Sequence, residues 1–188
     1  MKKLVIISTH PIQYQVPLFK YLKKQGIKAK VFFASKHGLN KNKIDPEFLT
    51  RIKWNINSNM TQGYEHKFSK IQKYNINDYR LNYYKIYQEL SKENFDYILI
   101  LGWNNFFYLR TIYYAIKKNI KIILRVETNL DSTKNFFKNF IKNFFLSFFF
   151  KRVTYFLSIG KLNKIFYLHH NVPNKKILPA PYFVDNEF

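Results

Sequence analysis

No cysteine occurs among the 188 residues, which excludes a disulfide framework, a thiolate zinc site and a cysteine nucleophile. A reducing cytoplasm is the simplest setting for such a chain. Glycine (5) and proline (6) are scarce, so collagen-like and linker-rich architectures are out. Long apolar runs are missing too. The longest, Phe144–Phe150, is interrupted by Ser147 and falls far short of the ~20 residues a spanning helix needs. The opening Met1-Lys2-Lys3-Leu4 has the charge of a secretory signal. Its apolar run stops at Ile7 where about 7–15 residues are wanted, and no small-residue cleavage site follows, so no signal is expected. Acids are the last scarcity: 11 Asp and Glu stand against 32 Lys and Arg, for a formal charge of +21.

What is present is apolar and aromatic. A chain that is 47% hydrophobic and 20% aromatic can bury a sizeable core, which excludes global disorder, and its length suits one ordinary domain. The positive charge invites a nucleic-acid partner. However, Lys, Asn, Ile, Phe and Tyr are abundant together, the bias that AT-rich coding produces, and no nucleic-acid recognition motif is present. No nucleic-acid partner is therefore expected. The distribution of charge says more than its sum. From Ser132 to Val184 the chain carries Lys and Arg but no Asp or Glu, which implies either an anionic neighbour or a solvated lysine face.

Short apolar runs alternate with helical patterns. Strands are read at Lys3–Thr9, Lys28–Ala34, Tyr97–Leu101, Ile120–Val126, Thr154–Ile159 and near Lys176–Leu178. Helices are read at Gln15–Gln25, with Pro17 in the first turn and Gly26 past the end, and from Asn77 or Asp78 to Glu93. Others run from Asn104 or Asn105 to Lys118, from the Asp131–Thr133 region to Phe150, and over Leu162–His169. Ser35–Asn75 is the least regular stretch. The alternation predicts an α/β Rossmann-like parallel sheet with helices on both faces, whose ligands sit at the carboxyl ends of the strands.

Several residues fall at such ends. His10, Gln13 and Tyr14 follow the first strand; a histidine there can contact or deprotonate a hydroxyl, and the alternative is a loop histidine bound to backbone. Arg125 and Glu127 share one side of a strand end by alternation. Together they suit a clamp on an acceptor hydroxyl, or a structural ion pair. Gly102-Trp103-Asn104 forms a strand–turn–helix junction. There Gly102 permits a tight turn, helix N–H groups can face a ligand, and Trp103 either stacks on a sugar ring or fills the gap between layers. No G-x-G-x-x-G, P-loop or G-x-S-x-G motif occurs, and His169-His170 lacks nearby carboxylates, so no metal or dinucleotide cofactor is expected.

Lys134–Phe150 repeats Lys every four residues (Lys134, Lys138, Lys142) opposite Phe136, Phe137, Phe140, Ile141 and Phe144. This pattern fits an in-plane helix on an anionic membrane, with Lys134, Lys138, Lys142, Phe137 and Phe144 at the surface. A helix covering the core explains the apolar face as well, but leaves Leu146, Phe149 and Phe150 without a place. A helix that does both is the expectation.

The stretch from Thr9 to Phe19 (THPIQYQVPLF) resembles the opening of a subgroup of glycosyltransferase family 4. Trp54-Asn55-Ile56 and Gly63-Tyr64-Glu65 resemble that subgroup's W-D-(I/V)-P…G-Y-E stretch, with Asn55 and Asn57 departing from it. Arg125-Val126-Glu127-Thr128 resembles its R-G-E-(S/T) strand end. Ser158-Ile159-Gly160, Asn163, Val172-Pro173 and the run from Pro181 to Phe188 resemble the close of the family's first domain. The resemblance implies the N-terminal acceptor-binding half of a GT-B fold: residues 1–178 as the lobe and 179–188 as the start of a linker to a donor domain. It implies a retaining sugar transfer from a nucleotide-sugar donor, held by a C-terminal or separately encoded domain, to a cell-envelope glycan or lipid-linked acceptor. Carried over to this sequence, Glu127 and His10 would act as catalytic groups and Gln13, Tyr14 and Arg125 would bind substrate; Gly102, Trp103 and Asn104 join the substrate-binding candidates from the strand–turn–helix junction alone. Such a half would lie in the cytoplasm, peripheral on the inner membrane face, and be inactive alone. The other expectations are a non-catalytic membrane-surface adaptor and, last, a nucleic-acid binder.

Overall fold

The computed structural model describes residues 2–36, 39, 60–69, 84–103, 105–129 and 146–182. They form a seven-stranded, wholly parallel sheet: β1 (Lys3–Ser8), β2 (Lys28–Phe33), β3 (Glu65–Phe68), β4 (Tyr97–Ile100), β5 (Lys121–Arg125), β6 (Val153–Ser158) and β7 (Ile177–Pro179), in the order β3-β2-β1-β4-β5-β6-β7. The helices are α1 (Val16–Lys24), α2 (Tyr84–Leu90), α3 (Phe106–Lys117) and α4 (Lys161–His169); residues 146–150 are also helical. The expected α/β Rossmann-like sheet with helices on both faces is therefore what the sequence builds.

The central strands have water on neither face, so their sequences are continuous apolar runs. Val5, Ile6 and Ile7 are wholly buried, each contributing roughly 1.5–3 kcal/mol relative to exposure. Their alternation divides the core. Val5, Ile7, Ile98, Ile100, Ile122, Leu124 and Phe156 face the layer of α2, α3 and α4, whereas Ile6, Val31, Phe33 and Leu99 face α1 through Val16 and Phe19. Gly26 adopts φ 71° directly after α1, the left-handed close that glycine permits. Asn105 caps α3 by accepting from the Tyr108 N–H at 3.1 Å.

Three features differ from the sequence reading. β3 was not expected: Glu-His-Lys-Phe, three polar residues and one phenylalanine at a sheet edge, carries little strand signal, and only Tyr64 before it is buried. Leu146, Phe149 and Phe150 lie in the main core, where Phe150 packs edge-on against Phe156, Phe166 and Tyr167. The end of the Phe-rich segment therefore covers the core. Lys134, Phe137, Lys138, Lys142 and Phe144 lie outside the described residues, as do Asn104, Trp54 and the start of the helix expected before Tyr84. Finally, the register between β5 and β6 shifts at Ile122/Ile123, so that Val153 faces Ile122 and Tyr155 faces Ile123.

Candidate functional site

Strand order reverses at β1, which has β2 on one side and β4 on the other. The crevice outside the carboxyl ends of β1 and β4 is where such sheets take ligands. After β1 the chain turns sharply. The Ser8 hydroxyl donates to the His10 carbonyl at 2.9 Å, with the Gln15 side-chain amide 3.3 Å away, and the Ile12 carbonyl accepts from the Gln15 and Val16 N–H groups. This turn presents Tyr14, 41% exposed, and half-buries Gln13 and His10. Nδ1 of His10 lies 3.0 Å from the Thr9 hydroxyl.

The other strand exits are stitched to this loop. The Thr9 N–H donates to the Tyr108 hydroxyl at 3.3 Å, and the Tyr108 ring lies on Gly102. A Cβ at Gly102 would sit 2.4 Å from Tyr108 Cε2, so glycine is required there for close approach and not for a left-handed turn. Trp103 packs against the core and donates its indole N–H to the Thr128 hydroxyl at 3.0 Å, which ties the exit of β4 to that of β5. Asn163 of α4 accepts from the Ile159 N–H and donates to the Thr128 carbonyl, which joins the exits of β5 and β6.

Arg125 and Glu127 do not form an ion pair. Arg125 is buried (5% exposed), and its Nη2 donates to the carbonyls of Ala180 and Pro181 at 3.2 and 3.1 Å. Its guanidinium lies over the Tyr182 ring, 4.7 Å from the centroid. Burial lowers the Arg125 pKa, against the raising pull of Tyr182 and Glu127. Glu127, exposed, accepts at Oε1 from the Tyr14 hydroxyl at 3.0 Å and from the Tyr182 hydroxyl. The two tyrosine rings meet edge to face, 4.7 Å apart. Burial, reinforced by the Glu127 charge and hydrogen bond, pushes the Tyr14 hydroxyl up to about 12, and the same causes raise Tyr182. Oε2 of Glu127 accepts no hydrogen bond among the described residues.

The structure thus brings Tyr14, Arg125 and Glu127 together, with Trp103 one residue removed through Thr128. His10 shares Tyr14's loop, and Gln13 makes no hydrogen bond among the described residues. Tyr182 is the main participant that the residue-type reading passed over. It lies beyond the last strand, and only the Pro-Tyr-Phe-Val-Asp motif around it gave a signal. A cavity of about 430 Å³ lies at the opposite, amino edge of the sheet, lined by Lys3, Lys23, Lys28, Glu65 and Glu93 among others. Its carboxylates are already engaged by Lys30, so it has less to offer a hydroxylated ligand.

No protein-family model matches the sequence, and no curated protein sequence does either. Solved structures do match. UDP-N-acetylglucosamine 2-epimerase from Rickettsia bellii is similar over 97% of this chain and 45% of its own, with a TM-score of 0.61 and 11% identity. HepE from Anabaena, solved in complex with UDP and glucose, is similar over 98% and 45%, at 0.58 and 9% identity. MurG from Acinetobacter baumannii is similar over 98% and 46%, at 0.53 and 10% identity. This chain spans less than half the length of each. At these identities the likeness is one of fold: an α/β Rossmann-like sheet matching half of a GT-B fold.

Proposed function

We propose that this chain is the acceptor-binding lobe of a two-lobed glycosyltransferase, family 4-like and retaining. The observation that carries the reading is Glu127. Glu65, Glu89, Glu93 and Asp96 each pair with lysine. Glu127 is the one described acid without a cationic partner, in a chain of charge +21, and it sits at the carboxyl edge beside the switch point. An ionised carboxylate only accepts hydrogen bonds, so its unoccupied Oε2 suits a sugar hydroxyl. The exposed ring of Tyr14 offers the sugar an apolar face. His10 on the same loop serves as a second polar contact.

On this reading the nucleotide-sugar donor, the one group the reaction requires beyond the acceptor, belongs to a second lobe, continuous with this chain or separately encoded. Residues 1–178 are the lobe and 179–188 begin the connection. Transfer requires both substrates in near-attack geometry, so the isolated lobe binds without turning over. The resemblance of the Thr9–Phe19 and Arg125–Thr128 motifs supports the acceptor role. The bound UDP and glucose in the name of the Anabaena structure support the broader reading, a lobe of an enzyme that handles nucleotide sugars. The test is saturation-transfer NMR of the chain with methyl glycosides of hexoses and N-acetylhexosamines. Glu127→Gln should weaken binding about tenfold with the melting temperature unchanged. Equal binding by the variant removes Glu127, and no binding by the parent chain removes the acceptor reading.

A peripheral position on an anionic membrane is favoured by the outer face of α3. Phe106 and Tyr113 are 52% and 55% exposed there, interleaved with Arg110 and with Lys117, whose Nζ lies 5.1 Å from the Tyr113 ring centroid. Among the described residues no helix is long and apolar enough to cross a membrane. Co-sedimentation with phosphatidylglycerol vesicles tests this, with phosphatidylcholine as control. Vesicle binding without glycoside binding would favour the non-catalytic adaptor.

A further inference from the structure

The segment beyond β7 folds back onto the candidate site. Arg125 fastens it at three points: the carbonyls of Ala180 and Pro181, and the face of the Tyr182 ring. This holds Tyr182 where its hydroxyl meets Glu127 Oε1, the oxygen that Tyr14 also bonds. Both donors thus fall on one oxygen and leave the other open. A flexible carboxylate on an exposed strand end would otherwise rotate among rotamers; two donors, one from the loop after β1 and one from the chain after β7, fix it. We propose that Tyr182 is the positioning residue of Glu127, orienting its Oε2 towards the ligand hydroxyl, and that Arg125 acts by anchoring the strap that carries Tyr182.

This rests on the reading of Glu127 as the hydroxyl acceptor. It adds that the site is complete only when the chain after β7 lies in place, so that displacement of residues 180–182 switches the acceptor site from ordered to loose. Tyr14 reaches the same oxygen from the loop after β1, so the two donors are separated by experiment.

The test uses the full chain and the variants Tyr182→Phe, which keeps the ring over Arg125 and loses only the hydroxyl, and Tyr14→Phe. The carboxyl carbon of Glu127 is followed by NMR in glutamate-labelled protein, assigned by its loss in Glu127→Gln, and methyl glycoside binding is measured in parallel. The expected result is that Tyr182→Phe moves the Glu127 resonance, keeps the melting temperature, and weakens glycoside binding roughly three- to tenfold. An unmoved resonance and unchanged affinity in folded Tyr182→Phe overturn the proposal while glycoside binding by the parent leaves the acceptor reading standing. A moved resonance in a parent that binds no glycoside keeps the hydrogen bond and overturns the acceptor reading instead. If Tyr14→Phe alone moves the resonance, the positioning role passes to Tyr14 and the assignment to Tyr182 fails.

Discussion

The two edges of this sheet treat their acids in opposite ways. At the amino edge carboxylates are neutralised. Lys30 reaches both Glu65 and Glu93, Lys2 reaches Asp96 at 3.0 Å, and the Lys3 N–H adds a bond to Asp96 at 2.8 Å. At the carboxyl edge Glu127 is met by phenols, and the cation closest to it in sequence, Arg125, is turned inward to backbone carbonyls. The amino edge is an electrostatic seam that closes on itself. The carboxyl edge keeps a charge that its own residues orient but do not cancel, which is the state a binding group needs.

The largest blow to this contrast should come from Arg125→Met. It removes hydrogen bonds from a buried cation to two carbonyls and frees the strap, so chemical denaturation should show a loss of about 2–4 kcal/mol. A loss under about 0.5 kcal/mol, no more than an ordinary surface change, would mean that the strap is not anchored there. Gly102→Ala comes next. Its methyl must displace the Tyr108 ring, and a loss of about 1–3 kcal/mol is expected, with Trp103 fluorescence altered. Lys30→Met, at the other edge, should cost only about 1 kcal/mol or less, because one of its two partners is well exposed.

pH separates the edges further. The Lys3 N–H and then Lys2 hold Asp96 below its usual range, and Lys67 and Lys92 do the same for Glu89. That contribution is present above the unfolded carboxylate pKa and is lost as pH falls through the lower folded values. Tyr14 is shifted the other way, from 10.0 to about 12, so its contribution is intact below pH 10 and is lost as pH rises towards about 12. Acid should therefore loosen the β3 and amino-edge side first, and alkali the Tyr14 loop, as read by hydrogen exchange. In Glu127→Gln the Tyr14 midpoint should fall yet stay above 10, since burial is the larger cause. An unchanged midpoint would contradict the bond between them.

Much of the fold was legible because parallel strands buried on both faces must be apolar throughout, as in Val5-Ile6-Ile7 and Ile98-Leu99-Ile100. Glu127 was legible too, being the only acid between Asp96 and Asp131. What escaped was non-local. The partners of Arg125 are carbonyls 55 and 56 residues away, which no side-chain pattern announces. Alternation placed Arg125 and Glu127 together but not what lay between them. Phe150 looked surplus to one helix because the rings it meets, Phe156, Phe166 and Tyr167, belong to β6 and α4, later in the chain.

The bulge in β6 has a consequence of its own. Val153 and Phe156 both enter the same core although they stand three positions apart, a parity that a regular strand forbids. Thr154 absorbs the odd step, after which Phe156 and Leu157 pair with Leu124 and Arg125 in unbroken order. The odd step is thereby taken up early in the strand, so that β6 reaches Ser158 in register with both neighbours and delivers the Asn163 contacts of the rim in line.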